Sequence, residues 1–162
     1  MKRKRFDKMN CGIAQALEAC GDWWTLLIVR DAFFGARRFG EFQRSLGIAK
    51  NILSARLAHL VEHGILERID AGLDGERFEY RLTAKGEALL TVLTALREWA
   101  DEWVFGRGNE PLVVRDRRSR RRIAKLRVTD ADGTPRKRSD LRMEAGAGAS
   151  REKIQRLRSS VS

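Results

Sequence analysis

Midway through its first hundred residues this chain's apolar spacing changes from a helical period to an alternating one, and the change falls directly behind a glycine. Phe39, Phe42 and Leu46 recur at i, i+3, i+7, and Leu46-Gly47-Ile48 then makes a turn. Leu53, Leu57, Leu60 and Val61 recur at i, i+4, i+7, i+8 and stop at His63-Gly64. Two short amphipathic helices joined by a glycine turn make a helix-turn-helix. From residue 65 the period is 2: residues 65–70 form one strand, Phe78-Glu79-Tyr80-Arg81-Leu82 alternates strictly, and residues 71–77 between them carry hairpin glycines. A two-stranded wing therefore follows the second helix. Few folds accommodate that order.

Flanking helices complete the domain. Ile13, Leu17 and Cys20 mark one apolar face of a first helix that stops at Gly21, and Asp22 caps the next. Trp23, Trp24, Leu26, Leu27, Ile28 and Val29 are apolar all round, which predicts a buried central helix running to Phe33-Phe34-Gly35. After the wing, Thr83 caps a long helix in which Leu89, Leu93, Leu96, Ala100 and Trp103 form a stripe thickened by Trp99. A lone chain has little to cover that stripe, so it is the predicted dimerisation surface.

The net charge of +11 is unevenly placed. Residues 1–105 hold 16 Lys and Arg against 15 Asp and Glu, whereas residues 106–162 hold 17 against 7. All twelve aromatic residues precede residue 106, and the last 57 residues contain 16 hydrophobic ones, thin material for a separate core. The expected organisation is a globular domain over 1–106, a basic extension over 107–150 and a disordered tail over 151–162. Within the extension, Leu112-Val113-Val114-Arg115, residues 123–128 and Leu141-Arg142-Met143 read as short strands and Asp130-Ala131-Asp132-Gly133 as a turn. The run Arg117-Arg118-Ser119-Arg120-Arg121-Arg122 is either a solvated loop or an arm on a DNA backbone.

Several classes of function are set aside by what the sequence lacks. No apolar run approaches the ~20 residues of a membrane span, and the basic start has no apolar segment behind it, so a cytoplasmic protein is expected. The two cysteines, Cys11 and Cys20, offer neither a disulfide framework nor a thiol-rich metal knuckle. No Gly-rich phosphate loop, nucleophile elbow or Cys/His pairing is present, so no enzyme and no cofactor are expected. His59 and His63 have the i, i+4 spacing of helical metal ligands, but no acidic third ligand is evident and no metal site is assigned.

With Leu53, Leu57 and Leu60 turned inward, Asn51, Ser54, Ala55 and Ala58 point outward and Lys50 stands at the helix start. Asn51 can pair bidentately with adenine, Lys50 can reach guanine or phosphate, Ser54 can bond either, and Ala55 can approach a thymine methyl. Arg56 flanks this face, where a structural salt bridge and a phosphate contact are both open. Arg77, beside the wing tip, is placed for a minor groove, and Arg37 and Arg38 for backbone phosphates. Arg81 is either a further contact or a cross-strand partner of Glu67 or a similar acid.

The order of elements and the residues within them resemble the HxlR-type branch of the MarR-like winged-helix regulators. The likeness is carried by Cys11, Gly21-Asp22-Trp23-Trp24-Thr25-Leu26-Leu27, Arg38-Phe39-Gly40-Glu41-Phe42, residues 46–57, His63-Gly64-Ile65-Leu66-Glu67-Arg68 and Tyr80-Arg81-Leu82-Thr83-Ala84-Lys85-Gly86. It covers about two thirds of the chain. The fold class it implies is mainly α with a small β-hairpin wing, a winged helix-turn-helix, plus a short basic β-type or partly disordered extension. The function it implies is a homodimeric repressor or activator on double-stranded operator DNA, answering to a small-molecule or electrophile effector. A cysteine at the place of Cys11 senses oxidants in some members; the plain alternative is an inert residue at a helix start. Only a thiolate reacts, and the basic run Lys2-Arg3-Lys4-Arg5 with Lys8 would favour one. Gly12 and Trp23 depart from the family pattern; Trp23 either thickens the core or faces a ligand pocket with Trp24 and Phe34. The C-x-x-C zinc knuckles of some family extensions are missing here. The rival reading is a non-enzymatic module that binds protein or RNA through the basic tail.

Overall fold

The computed structural model describes residues 6–71 and 78–159. The chain divides into two compact units, Met1–Thr94 and Ala95–Ser162. The division falls upstream of the composition shift near residue 106.

In the first unit α1 (Gly12–Cys20) ends where Gly21 N donates to Leu17 O at 2.9 Å. A Cβ on Gly21 would stand 2.5 Å from that carbonyl, so only glycine closes this turn. α2 (Trp23–Phe33) starts with Asp22 Oδ1 accepting from Trp24 N at 3.0 Å. Thr25, Ile28, Val29 and Ala32, at i, i+3, i+4, i+7, face the interior. α3 (Phe39–Leu46) and α4 (Lys50–Glu62) are joined across Gly47, whose φ of 61° is the left-handed conformation that glycine adopts at little cost.

The wing is the hairpin of β1 (Leu66–Asp70) and β2 (Phe78–Leu82), antiparallel with Leu66 opposite Leu82 and Asp70 opposite Phe78. Arg68 lies 4.3 Å above the Phe78 ring, a cation–π contact across the two strands. Phe42, Leu53, Leu57, Leu60, Ile65 and Leu66 join Ile28 and Val29 in one core, all almost completely buried. At ~1.5–3 kcal/mol for each large side chain removed from water, this cluster dominates the unit's stability. Tyr80 meets Phe42 edge-on at 6.4 Å and ties the wing to that core.

Four expectations change. The apolar faces of the first two helices were drawn too wide. On α1 the buried residues are Ala14 and Cys20, while Ile13 is 73% and Leu17 43% exposed. On α2 a single stripe is inside, and Trp23 and Phe34 stand out at 78% and 66% exposure, so Trp23 does not thicken the core. The long helix after the wing is segmented. Thr83 Oγ1 accepts from Gly86 N and caps only α5 (Ala84–Glu87); α6 (Leu89–Ala100) follows, and Asp101–Phe105 widen into a π-helical turn. Within α5, Gly86 lies against the Ile65 carbonyl, where a Cβ would come within 2.2 Å, so this short segment packs directly on the start of the wing. In the same region Leu89 and Leu93 pack against the unit's own core rather than standing free for a partner.

In the second unit the three short strands reduce to isolated bridges, Arg115 with Arg122 and Thr129 with Pro135. The residues around them have too few apolar neighbours to extend a ladder, and helix-borne carboxylates supply contacts instead. Glu98 Oε2 accepts from Leu126 N at 2.9 Å and Glu102 Oε2 from Lys125 Nζ at 3.1 Å. The turn at 130–133 forms as expected, with Asp130 Oδ1 accepting from Thr134 N at 2.9 Å and Gly133 at φ 79°. The tail is helical where disorder was expected: α7 spans Arg151–Ser159 and carries a Glu152–Arg156 pair one turn apart.

Candidate nucleic-acid interface

α4 is anchored by one face and open on the other. Leu53, Leu57 and Leu60 are wholly buried, and Lys50, Asn51, Ser54, Ala55 and Ala58 are exposed. The spacing that drives the leucines inward leaves a short, polar, small-residue surface at the helix's N-terminal end, of a size that fits a major groove.

Three arginines assigned to DNA have protein partners. Arg56 Nη2 meets Asp22 Oδ2 at 2.9 Å, so this arginine ties α4 to the carboxylate that caps α2. Of the two readings left open for it, the salt bridge is the one present. Arg37 Nη1 donates to Ala32 O at 2.6 Å and Ala36 O at 3.0 Å, closing the C-terminal end of α2. Arg38 is 3.8 Å from Glu79 Oε1, and Arg81 Nη2 is 3.0 Å from Glu79 Oε2. Glu67 stands opposite Arg81 in the strand register, but Glu79, two residues away on the same strand, holds its charge. Arg38 and Arg81 thus share one glutamate at the base of the wing. Arg77, Gly72 and Gly75 lie outside the described residues, as does the basic run at 2–5.

Several positioning groups escaped the sequence reading. Glu41 Oε2 accepts from Arg37 N at 2.6 Å and Arg38 N at 3.0 Å; these two backbone donors hold its carboxyl below the usual carboxylate range. The signal was present as an acid three residues after the N-cap Arg38. Lys85 Nζ donates to His63 O at 2.7 Å and supplies the cation at the end of α4. Glu62, not singled out in the sequence, has a carboxylate oxygen that lies with one ring nitrogen each of His59 and His63, all within 4.8 Å of one another.

The two thiols differ. Cys20 is buried, which pushes its thiol up, an effect partly offset by the Lys85 charge. Cys11 is half-buried at the N-cap of α1 and its carbonyl accepts from Gln15 N at 3.0 Å. In the second unit the arginine run forms a tight turn: Asp116 N donates to Arg121 O at 2.8 Å and Asp116 Oδ1 accepts from Ser119 N. Arg117, Arg118 and Arg121 are exposed on it. Among the described residues no helix is long and apolar enough to cross a membrane.

Comparison with known proteins agrees with this geometry. The family model of the HxlR-like helix-turn-helix matches residues 19–107. The HTH-type transcriptional regulator Rv3095 of Mycobacterium tuberculosis is 46% identical over 111 residues, 68% of this chain and 69% of that protein. The crystal structure of PA1607, a candidate transcription factor, superposes with a TM-score of 0.81 at 43% identity and covers 88% of this chain and 100% of its own, well beyond the family match. The reduced form of the regulator YodB from B. subtilis is 31% identical with a TM-score of 0.51, covering 59% of this chain and 96% of its own. These are transcription regulators rather than enzymes, and with the winged helix-turn-helix and its polar α4 face in place, the chain belongs to the HxlR-like helix-turn-helix family of transcriptional regulators.

Proposed function

We propose that the chain acts as a homodimer on a palindromic operator, reading bases in the major groove with Lys50, Asn51, Ser54 and Ala55. The observation that carries this reading is the polar face of α4, exposed while its opposite side is locked by Leu53, Leu57 and Leu60. Two such helices in a two-fold dimer would enter successive major grooves about 34 Å apart. Arg77, which lies between the two wing strands in sequence, Arg38 at the base of the wing and the arginine turn at 117–122 supply phosphate and minor-groove contacts, which position the protein without reading sequence. Arg37 and Arg56 contribute by holding α2, α3 and α4 in place.

Dimerisation is supported by apolar side chains left exposed in each unit of one chain: Ile13 and Leu17 on α1 in the first, and Leu96, Trp99 and Trp103 in the second. Leu89 and Leu93 serve the domain core in this reading and reach a partner only with their outer edges. Repression by occupancy of a promoter is the simplest outcome for such a dimer. Cys11 is the sensing thiol in this proposal, since burial keeps Cys20 protonated.

Protection mapping on the DNA around the chain's own gene tests the core claim. The expected result is a symmetric footprint whose duplex outcompetes RNA and random duplex; RNA outcompeting it would favour a module acting through the basic tail. Diamide is expected to change operator binding in the native chain and not in Cys11→Ser, and identical responses in both would remove the sensor.

A further inference from the structure

DNA reading uses the N-terminal half of α4 and leaves its last turn unexplained. His59 and His63 are the only two histidines in the chain. They lie one helical turn apart with ring centroids 4.1 Å from each other, and Glu62 brings a carboxylate oxygen within 4.8 Å of a nitrogen of each. The hydrogen bonds define what those rings offer. His59 Nε2 is 3.0 Å from Ala19 O, and His63 Nδ1 is 3.0 Å from His59 O. A carbonyl oxygen only accepts, so these nitrogens carry protons, and in the neutral form of each ring the lone pair stands on His59 Nδ1 and on His63 Nε2. Metal-bound histidines are held in the same way, the second nitrogen donating to a carbonyl or carboxylate that fixes tautomer and orientation. Both rings already have that support.

We propose that His59, Glu62 and His63 form a surface site for a divalent transition ion of the Zn2+, Co2+ or Ni2+ class. Two imidazoles and one carboxylate suit such ions, whereas Mg2+ and Ca2+ prefer all-oxygen sets. Ligand bonds of about 2.0–2.1 Å require donors about 3.3 Å apart, and Glu62, the exposed member of the three, closes on the ion by rotation of its side chain while the ring hydrogen bonds stay in place. Glu62 is exposed and the histidines half-buried, so water completes the coordination. The His-x-x-Glu-His order places both imidazoles on one helix side with the acid beside them. Lys85 Nζ is nearby but bonded to the His63 carbonyl, on the main-chain side, and the Glu62 charge offsets it. Because His59 also reaches Ala19, a bound ion would fasten the end of α1 to the end of α4.

The test is a Co2+ titration of the metal-stripped full-length protein near neutral pH, read by visible absorption and by the NMR signals of the two histidine rings. One Co2+ per chain that shifts and broadens both ring signals is expected, displaced by one equivalent of Zn2+ and not by Mg2+. The dissociation constant should rise about tenfold or more in His63→Gln, with a smaller rise in Glu62→Gln. Ring signals that stay in place, or an unchanged constant in His63→Gln, overturn the site. Charge-transfer absorption from a cobalt–thiolate bond overturns it too, since it puts the ion on a cysteine. If His63→Gln does not fold, the native ring signals and Glu62→Gln still decide.

Discussion

α4 and α6 are built on the same plan, an apolar stripe on an amphipathic helix, but they leave opposite surfaces behind. On α4 the stripe of Leu53, Leu57 and Leu60 is completely sealed within the chain, and what remains outside is Lys50, Asn51, Ser54 and Ala55. On α6 only Leu89 and Leu93 find the core, and Leu90, Val92, Leu96 and Trp99 remain about half exposed or more. A polar remainder of small side chains loses little when it meets a hydrated, charged duplex. An apolar remainder of that size is costly in water and is relieved by another protein surface. In the proposed reading the difference gives one helix to nucleic acid and the other to a partner chain.

The contrast can be broken most severely at the sealed stripe. Leu57→Ala should lower unfolding stability by about 2–5 kcal/mol, read from denaturant titration, because it opens a cavity in a fully packed core. A loss below about 1 kcal/mol would mean that α4 is not fixed by this packing. Substituting the uncovered side tests the other helix. Leu96→Ser with Trp103→Ser should leave the fold intact by circular dichroism yet weaken self-association by about 2 kcal/mol or more, read by sedimentation. An unchanged sedimentation profile would take this stripe out of the interface.

These two helices also mark how far sequence reasoning reaches. The burial of α4 was legible because its leucines repeat cleanly and the intervening residues are small or polar. The wing was legible because alternation survives in five-residue strands. α2 was not: with apolar residues on every side, period carries no information, and only the packing of Thr25, Ile28, Val29 and Ala32 shows which face is inside. The close packing of α5 on the wing was not legible either, because Gly86 approaches Ile65 O, a tertiary contact between residues far apart in sequence. Charge partners were the least legible. Arg37, Arg56 and Arg81 look alike as cations, and their separate tasks follow from Ala32, Asp22 and Glu79 being within reach.

A smaller effect sharpens the assignment of the polar face. Asn51→Ala should reduce the preference for operator over random duplex by about 1–3 kcal/mol, since one bidentate base contact is lost. Arg77→Ala should weaken both duplexes alike. Fluorescence-anisotropy competition at fixed salt separates the two, and equal losses in both variants would mean that Asn51 does not read bases.

The smallest effect concerns how the face is held. Glu41 accepts two backbone N–H groups at the start of α3, and those donors depress its carboxyl in the folded state. A folded value below the unfolded one stabilises the protein above the ordinary carboxylate range, and the contribution fades as pH falls through the folded value. Glu41→Gln keeps an acceptor oxygen and removes the charge. The group is exposed, so screening limits the loss to about 0.5 kcal/mol near neutral pH. The gap between native and variant should close as acid protonates Glu41 in the native chain. A gap that stays constant from neutral to acid pH in thermal melts would mean that shape, rather than charge, is what Glu41 contributes to the turn before α3.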